Sequence, residues 1–171
     1  MNDSPIDLDD DMDIKPTSSY MSDEPDLDDD DFALSTTQET SYEYFPETRE
    51  ELKKIVRMEI EKQGGVDVNL NMIDTSKITM MFNMFNRCTS LRSLDVSEWD
   101  VSNVNDMNNM FGNCVSLRTL DVSGWDVSNV KDMDNMFNNC ESLHADTTMW
   151  KIRANDINNM YHNAPYMKHN F

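Results

Sequence analysis

The chain is short of positive charge. Over 171 residues, 14 Lys and Arg stand against 33 Asp and Glu, a formal net charge of −19. A nucleic-acid binder working through a basic surface needs Lys/Arg clusters to neutralise phosphates, so that class is excluded. Attachment to an anionic membrane surface is disfavoured for the same reason. Four glycines are too few for a phosphate-cradling loop or a dinucleotide fingerprint. Three cysteines, an odd number, do not make a disulfide framework. No apolar run reaches the length of about 18 residues that a membrane-spanning helix needs. The opening Met1-Asn2-Asp3-Ser4-Pro5 turns acidic at once, where a secretory signal would be basic and then apolar. The expected location is therefore the cytoplasm, with a virion or a surface reached by unconventional export as the alternatives.

The acidity is concentrated. Residues 1–45 hold 15 Asp/Glu and one base, Lys15, for a net −14, which leaves −5 for the other 126 residues. Two clusters, Asp7-Leu8-Asp9-Asp10-Asp11 and Asp26-Leu27-Asp28-Asp29-Asp30-Asp31, are interrupted by Pro5, Pro16 and Pro25. Dense like charge with little apolar surface cannot offset the entropy of ordering, so residues 1–45 read as a disordered acidic leader. It is either an arm for a basic partner, with Leu8, Ile14, Leu27, Phe32 and Leu34 as anchors, or a solvating tail that keeps the protein monomeric. Tyr42, Tyr44 and Phe45 lie where the leader meets the rest of the chain and are expected to dock there.

Residues 46–65 read as a helix that caps the N-terminal end of the domain. Thr48-Arg49-Glu50-Glu51 has capping-box spacing. Leu52, Ile55, Val56 and Ile60 form an apolar stripe with Met58 at its edge, and Gly64-Gly65 supplies the stop.

The strongest signal is self-similarity at a fixed offset. Cys88, Cys114 and Cys140 are 26 residues apart, as are Trp99 and Trp125, with Trp150 next in the series. Met84-Phe85, Met110-Phe111 and Met136-Phe137 repeat at the same offset, and Met160-Tyr161 continues the pattern. Asp100-Val101-Ser102-Asn103-Val104 recurs as Asp126-Val127-Ser128-Asn129-Val130. The alternation of Leu94 and Val96 is strand-like, and the three-residue beat from Trp99 to Met110 suits coil passing into a short helix or 3₁₀ turns. A single such unit has no core of its own, but stacked units share one. The expected fold is an α/β solenoid over residues 66–165, a leucine-rich-repeat-like array of about four coils. Its strands are Val68-Asn69-Leu70, Leu94-Asp95-Val96, Leu120-Asp121-Val122 and a degenerate fourth with Ala145 and Thr147 inward. Residues 166–171 form a C-terminal tail.

The phrase from Leu94 to Val104, then Met107, Met110-Phe111 and Cys114, resembles the BspA-type leucine-rich-repeat family with its D-x-S-x-V-x-x-M-x-x-M-F-x-x-C signature. The resemblance covers about residues 66–165. Members of that family are similar to bacterial surface proteins and to open reading frames of mycoplasmas, protists and large DNA viruses. The resemblance implies the solenoid fold and, as a class, adhesion or protein binding. The short array and acidic leader are closer to an intracellular or viral member than to a surface-anchored one.

The polar positions that recur are read as structural. Cys88, Cys114 and Cys140 line up at the strand spacing of about 4.8 Å, yet Ala164 occupies the fourth place and His144, His162 and His169 lack ligand spacing. Buried thiols are the expectation, with no metal and no cofactor. Asp100/Ser102 and Asp126/Ser128 are expected to cap turns through side-chain bonds to nearby amides rather than to bind calcium. Asn83, Asn109, Asn135 and Asn159 form a ladder expected to satisfy backbone groups of neighbouring coils. Met81/Met84, Met107/Met110 and Met133/Met136 recur as core.

No nucleophile, paired carboxylate or phosphate loop assembles from these repeats, so an enzyme is not expected. The remaining surface is the strand face, where Asn69, Asn71, Ser93, Asp95, Ser97, Thr119, Asp121 and Ser123 alternate with inward residues. The function expected is a non-catalytic, monomeric module that binds a protein partner through this face or the acidic arm. The alternative is a structural or assembly component, for example of a large DNA virus particle.

Overall fold

The structure, a computed structural model, describes residues 41–153 and 157–170. The acidic clusters of the leader and its candidate anchors Leu8, Ile14, Leu27, Phe32 and Leu34 lie outside these residues.

Thr48 and Glu51 start helix α1, Arg49–Lys62, with a reciprocal capping box. The Glu51 amide donates to Thr48 Oγ1 at 3.2 Å, and the Glu51 carboxylate accepts from the Thr48 amide at 3.3 Å and the Glu47 amide at 2.9 Å. Gly64 and Gly65, at φ +81° and +71°, turn the chain where a Cβ would be strained. Leu52 and Val56 are fully buried, whereas Ile55 and Ile60 of the apolar stripe are half-buried and Met58 is exposed.

The third buried residue of α1 is an acid. Glu59 is only 1 % exposed, and a buried carboxylate persists only with donors around it. Tyr44 Oη donates to Oε1 at 2.8 Å, Lys62 Nζ at 2.9 Å, and Gln63 Nε2 donates to Oε2 at 3.2 Å. Burial alone would raise this carboxyl's pKa; the three donors outweigh it and hold it below the ordinary value.

Three short strands, β1 (Asp67–Asn69), β2 (Ser93–Asp95) and β3 (Thr119–Leu120), pair in parallel in the order β1-β2-β3. Val68 faces Leu94 and Leu94 faces Leu120, so each residue meets its counterpart 26 positions on. Single bridges carry the pattern further, from Thr119 to His144 and from Asp146 to Lys168. Residue 168 thus pairs back onto the last repeat.

A second ladder runs along the return path. The amides of Met81, Asn83, Phe85 and Arg87 donate to the carbonyls of Asp106, Asn108, Met110 and Gly112 at 2.8–2.9 Å. Met107, Asn109, Phe111 and Asn113 repeat this toward Asp132, Asp134, Met136 and Asn138. Asn135, Phe137 and Asn139 repeat it toward Asn158, Met160 and His162. This segment is expected to pass into a short helix or 3₁₀ turns, but among the described residues it contains no helix. The reason lies in eight non-glycine residues with positive φ, spaced four apart within each repeat: Asn83 and Arg87, Asn109 and Asn113, Asn135 and Asn139, Asn159 and Asn163. Each left-handed residue sits third in an i→i+3 turn, as Asn109 does in the turn that Met110 N–H closes on Met107 O at 3.1 Å. The turns therefore do not run on as a helix, and the left-handed residue's own amide is left for the neighbouring repeat, as in Asn109 N–H to Asp134 O at 2.9 Å. Seven of the eight are Asn, the non-glycine residue that tolerates this region best.

Between the ladders the core repeats unit by unit. Phe85, Phe111, Phe137 and Tyr161 stack with ring centroids 5.3, 5.5 and 5.9 Å apart and planes within 7°. The indoles of Trp99, Trp125 and Trp150 donate to the carbonyls of Leu70, Val96 and Val122 at 3.0, 3.2 and 2.9 Å, so no buried indole N–H among them is orphaned. Met81, Met84, Met107, Met110, Met133 and Met136 are all buried in this core.

Candidate interaction surface

The strands place alternate side chains inward and outward. Val68, Leu94 and Leu120 are buried, while Asp67, Asn69, Asp95, Thr119 and Asp121 face out. The eight residues singled out from the sequence share this outward face, and bonds among them fix it. Asn69 Nδ2 donates to Asp95 Oδ2 at 2.9 Å, and Asn71 Nδ2 to Ser97 Oγ at 3.4 Å. Thr119 Oγ1 donates to Ser93 Oγ at 2.8 Å.

Asp95, Asp121 and Asp146 are each locked by the hydroxyl residue two places on. Asp95 Oδ1 accepts from the Ser97 amide at 3.2 Å and hydroxyl at 2.8 Å, and Asp121 Oδ1 accepts from Ser123 at 3.0 and 2.8 Å. Asp146 repeats this with Thr148 at 2.9 and 2.6 Å. Burial raises the Asp95 carboxyl, but the side-chain amide of the nearby Asn71 and the bonds from Ser97 bring it below the ordinary value. Thr148 does the same for Asp146. The face therefore presents fixed anions whose second oxygens are turned to solvent or to a neighbour.

At the C-terminal half of the face lies a groove of about 420 Å³, lined by Thr119, Asp121, His144, Asp146, Tyr166 and Lys168 among others. His144 and Tyr166 stack at 4.7 Å with planes 6° apart, and Tyr166 is 55 % exposed. Lys168 Nζ stands 3.9 Å from Asp146 Oδ2. Tyr166 and Lys168 carry no repeat signal, which is why the sequence did not mark them.

The turn aspartates cap as their type allows. Asp74, Asp100 and Asp126 accept the amides of Ser76, Ser102 and Ser128 at 2.9–3.0 Å. The thiols are donors: Cys114 Sγ and Cys140 Sγ each lie 3.1 Å from the carbonyls of Phe85 and Phe111. Burial pushes the Cys114 thiol far up and that of Cys140 up to about 12. No group of three His, Cys, Asp or Glu among the described residues is placed to hold a metal ion.

The Asn ladder differs from its expected role. Asn83 and Asn135 receive side-chain bonds from Asn86 and Asn138 of their own repeat, at 2.7 and 2.8 Å. The amide ladder that crosses repeats uses the next set: Asn113 Nδ2 donates to Asn86 Oδ1 at 3.3 Å, Asn139 to Asn113 at 2.9 Å, and Asn163 to Asn139 at 2.7 Å.

Parallel pairing at one-repeat register, two ladders and a shared apolar interior define a repeat protein built from units of about 26 residues. The chain belongs to the family described as "Mycoplasma protein of unknown function, DUF285", which it matches over residues 53–171. That family is related to the BspA-like repeat proteins. No curated protein and no solved structure matches the chain. No helix among the described residues is long and apolar enough to cross a membrane.

Proposed function

We propose that the chain is a short BspA-like, leucine-rich-repeat solenoid capped by α1, and that it acts as a non-catalytic module binding a protein partner through its strand face. The observation that carries this reading is the fixed outward set Asn69, Asp95, Thr119, Asp121, Ser93, Ser97 and Ser123, continued by the groove at Tyr166. Side chains already held in one rotamer lose little entropy on binding. The raised thiols support a non-catalytic reading, because a protonated sulfur is a poor nucleophile. The protein works as a monomer whose partner is neither nucleic acid nor membrane, in keeping with its net charge of −19. The acidic leader is a second route to a basic partner.

The test compares affinity capture by the full chain and by an Asp121→Arg/Thr119→Arg variant. A protein recovered by the first and lost with the second, at equal thermal midpoint, supports the reading. Recovery that is indifferent to both substitutions sinks the strand face as the binding surface. Sedimentation with assembled particles and no captured partner favours an assembly component instead.

A further inference from the structure

The outward residues of successive repeats stand in columns. In the register set by the strand pairs, one column runs Asn69, Asp95, Asp121, Asp146 and Lys168. Three carboxylates are thus stacked at strand spacing, about 4.8 Å apart, and like charges placed opposite one another destabilise a sheet. The outer two are answered. Asn69 Nδ2 donates to Asp95 Oδ2 at 2.9 Å, and Lys168 Nζ stands 3.9 Å from Asp146 Oδ2. Asp121, between them, is not: its Oδ1 accepts from Ser123, and its Oδ2 has no donor among the described residues.

The neighbouring column changes character beside that carboxylate. Ser93 and Thr119 are small hydroxyl residues joined by a bond of 2.8 Å, and the next two positions are rings, His144 and Tyr166. His144 Nδ1 donates to the Ser142 carbonyl at 3.0 Å, and one face of its ring lies against Tyr166 at 4.7 Å. The other face is turned toward Thr119, because the strand register sets Thr119 and Tyr166 on opposite sides of His144. This step from a small side chain to a ring lies in the groove of about 420 Å³, which Asp121 and Asp146 also line.

We propose that the groove binds an arginine side chain of the partner protein, its guanidinium flat against the His144–Tyr166 wall and one edge bonded to Asp121 Oδ2. The inference rests on the strand face being the binding surface and names the chemistry that face reads. Charge complementarity calls for a cation at Asp121, and the rings select its shape. A guanidinium is planar and weakly hydrated, so it stacks on a ring while its edge N–H groups meet a carboxylate; a lysine ammonium has no flat face. A metal ion is a poor occupant. Asp121 and Asp146 have each committed Oδ1 to a hydroxyl, and Lys168 already faces Asp146.

The experiment is an NMR titration of the isotope-labelled full chain with N-acetyl-arginine amide. N-acetyl-lysine amide and N-acetyl-citrulline amide, a neutral copy of arginine's shape, are the comparison ligands. The expected result is saturable shifts at Thr119, Asp121, His144 and Tyr166 with Kd about 1 mM. The lysine amide should bind roughly tenfold weaker and the citrulline amide weaker still. Asp121→Asn should weaken arginine binding by roughly tenfold. The ligand series is read on the unaltered chain, so it decides the matter even if the variant fails to fold. Equal binding of the lysine amide, unchanged binding by Asp121→Asn, or shifts spread evenly over the acidic residues overturns the proposal. Capture of a partner through the strand face with no arginine shifts in the groove sinks this inference alone. Arginine bound in the groove with no partner captured leaves the site standing and sinks the partner-binding reading.

Discussion

The side-chain amide of Gln63 lies against the backbone of Asn69 as a neighbouring strand would, Oε1 2.9 Å from the amide and Nε2 2.9 Å from the carbonyl. One residue just past α1 thus closes the free edge of β1, a site where unpaired strands invite association. Tyr44 completes the cover with a backbone bridge to Ile73. Replacing Gln63 by Ala should cost about 1 kcal/mol per bond lost and speed hydrogen exchange at Asn69. Urea denaturation and exchange measured on the same variant check both, and unchanged exchange at Asn69 would refute the edge role.

Glu59 makes stability depend on pH in a definite direction. Its folded carboxyl lies below the ordinary 4.5, so its contribution is fully present above that value and is lost as pH falls toward the depressed folded value. Asp95 acts in the same sense below its ordinary 3.8. The wild-type thermal midpoint should therefore drop on acidification below about pH 4.5, more steeply than in Glu59→Gln. Parallel curves for the two proteins would show that Glu59 does not contribute.

Phe111 has a ring on each side, Phe85 at 5.3 Å and Phe137 at 5.5 Å. Truncation to Ala opens a cavity in the middle of the column and should cost about 3–5 kcal/mol. Denaturant titration is the measurement. A loss under about 1 kcal/mol, below the range for large core truncations, would mean the column is not continuous in solution.

The left-handed asparagines separate backbone from side chain. Asn109 sits at φ +52°, so Asn109→Gly should be close to neutral, whereas Asn109→Val should cost about 1–3 kcal/mol. A Val variant as stable as the Gly variant would show that this backbone is not left-handed.

Half-buried Cys88 should react with a thiol reagent before Cys114 and Cys140, which are buried and donate to carbonyls. Mass spectrometry of the partly modified protein identifies the site. Early label on Cys140 would contradict its placement.

How far the sequence discloses this arrangement depends on what the physics repeats. Inward positions such as Val68, Leu94 and Leu120 recur because each unit must match its neighbour's apolar surface, so spacing alone predicts their register. Thr48 and Glu51 are legible because a capping box is local. The left-handed pairs are hidden: Asn109 reads as a rung of a side-chain ladder and Asn113 as an ordinary polar residue, and only φ shows that the backbone chose them. Glu59 is hidden because a stripe drawn through apolar residues passes over an acid whose partners come from Tyr44 and Gln63. Tyr166 and Lys168 are hidden because they lie past the last clear period, where Lys168 nonetheless pairs with Asp146.

The indole, thiol and ladder contacts each reach one repeat and no further. A deletion of 26 residues from the middle, from Asp100 through Trp125, would bring Trp150 to Val96 and Cys140 to Phe85 with every donor still finding an acceptor of the same kind. The length of this protein is thus a loose variable: recombination that gains or loses whole units leaves the bonding closed, while a change of a few residues within a unit does not.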